Sequence, residues 1–140
     1  MIKYEYFDDG RLLITKYTGD IDKETIKSYI QFIFSKSNCE NLENLILDFR
    51  DAKLSINLTD LNEIAHSRKT VDVGQNKSVF LVETPMETAL IIMISKMYNR
   101  DLKPADFCST IKGCIQNLSL EITEDGLNRR LNTLKFEFSE

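Results

Sequence analysis

The sequence predicts one α/β domain, a five-stranded mixed sheet covered by helices, and three observations lead there. Two apolar strands, Leu45-Ile46-Leu47-Asp48-Phe49 and Ser78-Val79-Phe80-Leu81-Val82, are each followed by a helical pattern. That spacing suits parallel strands joined by crossover helices. Ahead of them, two β-rich segments flank Asp8-Asp9-Gly10-Arg11, and Asp-Gly between such runs signals a hairpin. Thr84-Pro85-Met86-Glu87 then carries a capping box with proline at the first helical position.

Each element follows in order. Residues 2–7 and 12–17 form the hairpin, and Thr18-Gly19-Asp20-Ile21-Asp22 turns the chain. Asp22 caps a helix whose Ile26, Tyr29, Ile30 and Ile33 share one stripe, widened by Phe32 and Phe34 and ending near 37–38. The strand at 45–49 is nearly all apolar, as expected of one covered on both faces. Asn57-Leu58-Thr59-Asp60-Leu61 opens a second helix with Leu61, Ile64 and Ala65 inward. A polar loop over 69–77 precedes the strand at 78–82, and the capped helix runs from Pro85 to about Asn99. Residues 104–108 read as a short last strand and 109–118 as a helix. In the tail, Asp125-Gly126 breaks the pattern, Leu127, Leu131 and Leu134 suggest a weak helix, and Phe136 and Phe138 pack back on the body.

Composition narrows the function classes. At 140 residues the chain has room for a core without metals or disulfides. The net charge of −4 arises from intermixed acids and bases, with no basic stripe for phosphates, so nucleic acid is not an expected partner. The longest apolar run, residues 89–94, is far short of the ~20 residues of a membrane span. The N-terminus lacks the apolar core of a signal peptide, so the expected compartment is the cytoplasm. Cys39, Cys108 and Cys114 show no CxxC spacing and read as free thiols in or near the core.

The junction residues resemble those of the STAS-like family, related to sporulation anti-anti-sigma factors. The resemblance rests on Gly19-Asp20-Ile21-Asp22 before the first helix and Leu47-Asp48-Phe49-Arg50-Asp51 closing the third strand. Val79-Phe80-Leu81-Val82 before the long helix and Phe107 before a helix ending at Leu118 extend it. It covers residues 1–120 as a STAS-like domain, leaving 121–140 as a C-terminal extension packing on the same domain. The resemblance implies a sheet with helices on one face and a non-enzymatic regulator. Members that are phosphorylated carry an Asp-Ser pair at the start of the helix after the third strand. Here the region reads Lys53-Leu54-Ser55-Ile56-Asn57-Leu58-Thr59; the pair is absent, and Ser55 or Thr59 are the candidate phosphosites in its place. A further fold resemblance, to CRAL-TRIO lipid-binding domains, implies an apolar pocket.

The candidate chemistry is thin. Asp48, Arg50 and Asp51 sit where a central strand leaves the core, the end at which open α/β sheets place ligands. Two readings apply: Arg50 as an anion anchor oriented by the aspartates, or a local ion pair fixing the strand end. His66 is the only histidine and has no sequence-local catalytic partner. No glycine-rich phosphate loop or nucleophile elbow occurs, and no metal or cofactor is expected.

Ala89-Leu90-Ile91-Ile92-Met93-Ile94 is apolar around the whole helix, where covering a sheet requires only one apolar face. The surplus face must meet a neighbouring helix, a second subunit or an apolar ligand. Met86, Leu90, Ile91, Ile94, Met97 and Tyr98 are the expected interaction or ligand surface. The expectation is therefore a non-enzymatic regulatory or protein-interaction module that forms a homodimer with itself through this helix and meets a protein partner unknown. The alternative is a carrier or sensor of a small apolar or lipid-like ligand, walled by the helices at 26–34 and 86–98.

Overall fold

The computed structural model describes residues 1–35, 41–55, 57, 59–60, 77–84 and 107–139. β1 (Ile2–Phe7) and β2 (Leu12–Asp22) pair antiparallel, in register from Ile2↔Tyr17 to Phe7↔Leu12. The expected hairpin turn closes with Arg11 N–H donating to Asp8 O at 3.1 Å. Gly10 takes φ +78°, a conformation that costs glycine little because it has no Cβ.

The turn expected at residues 18–22 is absent. β2 runs on to Asp22 because β3 (Asn44–Ser55) is also longer than its apolar half and supplies a parallel ladder from Thr18↔Asp51 to Asp22↔Ser55. Gly19, at φ +73°, lets the strand pass through a conformation that a side chain would resist. Asp22 then caps α1 (Lys23–Phe34), accepting from Thr25 N–H at 2.9 Å. α1 ends at Phe34, short of the expected 37–38. There Ser35 Oγ–H donates to Phe32 O at 2.7 Å, giving the backbone a local alternative to another helical turn.

β4 (Lys77–Leu81) and β5 (Phe107–Cys108) complete the parallel part of the sheet. α2 (Ile111–Leu118) is capped by Thr110, and α3 (Glu124–Asn132) by Thr123. Asp125-Gly126 does not break α3. Gly126 lies in its first turn, where its N–H donates to Thr123 Oγ1 at 3.0 Å. β6 (Phe136–Phe138) then pairs antiparallel with β1. Among the described residues the sheet therefore has six strands, in the order β5-β4-β3-β2-β1-β6, where five were expected. The extra strand was hidden in a segment of only three residues.

Helices cover both faces of this sheet, not the single face that the resemblance implied. α1 lays Ile26, Tyr29 and Ile33 on a cluster with Ile2, Tyr4, Leu13, Tyr17, Leu45 and Phe49. α2 and α3 lay Cys114, Leu118, Leu127 and Leu131 on Leu12, Ile14, Ile46, Val79 and Leu81. Alternate residues of each strand serve alternate faces, as the two-residue period of a strand requires. Burying each of these large aliphatic side chains stabilises the fold by about 1.5–3 kcal/mol relative to exposure.

Candidate functional site

β3 does not leave the sheet at Asp48 and Arg50 as expected, because the ladder with β2 continues to Ser55. Midway along that ladder, level with the carboxyl end of β4, the pairing carries a bulge. Lys16 pairs with Asp48 and Thr18 with Asp51, so β3 advances one residue more than β2. Asp48 and Arg50 lie here, and the geometry brings them together. Arg50 Nε–H donates to Asp48 Oδ1 at 3.0 Å and Nη2–H to Oδ2 at 2.9 Å, while the Arg50 backbone N–H reaches Oδ1 at 3.1 Å.

This is the two-pronged guanidinium–carboxylate fork, strong because two charged bonds act in parallel. Asp48 is fully buried and Arg50 keeps about a quarter of its side chain exposed, at 26%. A buried carboxylate is tolerable only when paired and hydrogen-bonded, and these three bonds supply both. Asp48 in turn holds the guanidinium charged, raising its pKa further above the ordinary range.

Asp51 stands apart from the fork. Its exposed carboxylate pairs with Lys16 Nζ at 3.2 Å. Sequence reading did not single out Lys16, because only the register of β2 against β3 makes them neighbours.

Cys114 and Cys108 pack beside the fork on the same face. A Cβ on Gly113 would lie 3.2 Å from that of Cys108, so the glycine lets α2 approach the end of β5 closely. Asn117 Nδ2–H donates to Cys108 Sγ at 3.3 Å. Burial pushes both thiols up, Cys114 far more than Cys108. Both are free and buried, and a neutral thiol is a poor nucleophile.

Of the two candidate phosphosites, Ser55 is the exposed last residue of β3 and Thr59 lies exposed in a helical turn. Neither hydroxyl caps that turn. Asn57 and Asp60 do so reciprocally, each accepting the other's backbone N–H at 2.9 Å. Lys23 Nζ stands 3.5 Å from Asp60 Oδ1. Met86, Leu90, Ile91, Ile94, Met97 and Tyr98 lie outside the described residues, as do His66 and Cys39.

A groove of about 640 Å³ opens at the amino end of β3 and β4, opposite the fork. Leu12, Leu118, Leu120 and Ile122 contribute its apolar lining, and Asn44 and Lys77 stand at the strand starts. Arg130, also in the lining, donates to Asp9 Oδ2 at 2.6 Å and lies over the Phe7 ring at 4.3 Å. That bond lowers the pKa of Asp9. Sequence reading missed this groove because its walls come from separate stretches of the chain.

Among the described residues, no group of three or more His, Cys, Asp or Glu could hold a metal ion. Nor is any described helix long and apolar enough to cross a membrane. No family model and no curated protein matches the chain. Among solved structures it is similar to the anti-sigma factor antagonist SpoIIAA in its unphosphorylated form. Identity is 14% and the TM-score 0.40, over 66% of this chain and 83% of that one. At that distance the likeness transfers no function. The described residues themselves form an antiparallel hairpin, a helix, then parallel strands in a mixed sheet.

Proposed function

We propose that the chain is a non-enzymatic regulatory or protein-interaction module of STAS-like type, working in the cytoplasm. The single observation that carries this reading is the closed Asp48–Arg50 fork. Level with the carboxyl end of β4, the side on which open α/β sheets bind ligands, a carboxylate and a guanidinium satisfy each other. The thiols beside it are held neutral by burial. General acid–base or nucleophilic work needs a group free to exchange a proton or attack, and this arrangement offers a tie instead.

The module would then act through a surface. Residues 86–98, with Met86, Leu90, Ile91, Ile94, Met97 and Tyr98, are the proposed binding face, because their apolar character exceeds what one sheet-facing side uses. The carrier reading is weaker, since α1's Ile26, Tyr29 and Ile33 already pack on the sheet and leave less of that helix to wall a pocket. A phosphate on Ser55 or Thr59 would be the corresponding switch.

Ile91→Asp and Ile94→Asp test the face. Each is expected to abolish association through this face, seen as a loss of the corresponding species in sedimentation velocity, while far-UV circular dichroism stays unchanged. Native mass spectrometry showing a small adduct, released on unfolding, would favour the carrier instead.

A further inference from the structure

We infer that β6 is a pairing edge for a second copy of this chain, joining two sheets antiparallel about a two-fold axis at Phe136. The inference is independent of the face at 86–98. It starts from the direction of the backbone groups. Met1 and Thr18 exchange both hydrogen bonds, Met1 N to Thr18 O and Thr18 N to Met1 O, each at 2.9 Å. In an antiparallel pair such residues alternate with pairs whose groups point the other way. Ile2 and Tyr4 therefore turn their N–H and C=O toward β6, where they meet Phe138 and Phe136. Glu137, between those two, turns its own N–H and C=O outward from the edge of the sheet that the described residues form. An edge with outward-facing groups is a template for another strand.

The side chains favour one register and one occupant. With Phe136 opposite its own copy, Glu137 faces Lys135 of the second chain, and the symmetry repeats that pair. Across the joined sheets one row would read Lys3, Glu137, then Lys135 and Glu5 of the copy. Its charges alternate at every step, for Lys3 is Glu137's neighbour on β1 and Lys135 Nζ lies 3.2 Å from Glu5 Oε1. Opposite charges directly across a ladder attract, while like charges repel.

The other face adds an aromatic row. Phe136 stacks on Tyr4 at 5.7 Å yet remains 54% exposed; with Met1 it makes up the exposed large hydrophobics among the described residues. Pairing would set the two Phe136 rings side by side between the two Tyr4 rings. Each Glu137 N–H would donate to Lys135 C=O of the copy, leaving the existing Lys135 N–H to Glu5 bond, at 3.2 Å, in place. The matched strands are short, so the association is weak and concentration-dependent.

Glu137→Pro separates this pairing from folding, because it removes the outward donor and the carboxylate set against Lys135 of the copy, and proline is tolerated on an edge strand. Phe136→Ser is the second variant. Sedimentation velocity of the full chain across a concentration series is expected to show a reversible dimer. Glu137→Pro should weaken it at least ~10-fold, equivalent to about 1.4 kcal/mol, with the circular dichroism spectrum and melting curve retained. Phe136→Ser should weaken it as well. A chain that stays monomeric at every concentration overturns the inference. So does a dimer that both variants leave intact, and if Ile91→Asp alone dissolves that dimer, association belongs to the face at 86–98.

Discussion

The two faces of the sheet are built from the same strands but from different chemistry. The α1 face is aromatic: Tyr17 stacks on Phe49 at 4.3 Å, and Tyr4, Tyr29, Phe32 and Phe138 continue the contacts. A buried polar bond interrupts it, between Thr15 Oγ1 and Tyr29 Oη at 2.6 Å. The α2/α3 face is aliphatic, yet it holds the buried carboxylate of Asp48 and two buried thiols. The contrast separates two ways of specifying a core. Ring packing tolerates a lost hydroxyl, whereas a buried charge tolerates no loss of its partner.

Substitutions on the two faces sharpen that contrast. Arg50→Met leaves Asp48 buried and unpaired; the expected loss is about 4 kcal/mol of unfolding free energy, read by urea denaturation. A loss below about 1 kcal/mol would mean that the carboxylate finds water or another donor. Phe49→Ala, on the aromatic face, is expected to cost about 3 kcal/mol by the same assay, from lost burial and the cavity beside Tyr17. Tyr29→Phe removes the hydroxyl partner of Thr15 and should cost about 1 kcal/mol.

The smallest effect is a pH dependence confined to alkaline solution. Both thiols titrate higher when folded than when unfolded, so the folded state keeps its protons longer. Their contribution is complete below the ordinary thiol range, about pH 8.5, and is lost as pH rises above it. Urea midpoints across that range should fall in the native chain and fall less in Cys114→Ala.

The apolar strands, the Asp8–Arg11 turn and the Asp22 cap were legible because each depends on neighbours in sequence. The polar half of β3 was not, since residues 51–55 are strand only through the ladder that β2 offers. β6 was missed for a related reason. Phe136 and Phe138 announced packing, but their partners Tyr4 and Ile2 lie at the other end of the chain. At the site, the spacing of Asp48 and Arg50 placed both on one face of a strand, so their meeting could be anticipated. The burial of Asp48, the link from Asp51 to Lys16 and the glycine-permitted approach of Cys114 required the register and the helix packing.

The central claim is that the Asp48–Arg50 fork serves the fold and leaves function to the surfaces. The most direct test is the double variant Asp48→Leu with Arg50→Met, measured for stability and by native mass spectrometry. The account expects stability within about 2 kcal/mol of the native chain, well above Arg50→Met alone, because removing both partners leaves no orphaned charge. The masses of its assemblies should match those of the native chain. A double variant that folds as well as the native chain but has lost its complex or a bound adduct would contradict the account and make the fork a binding site.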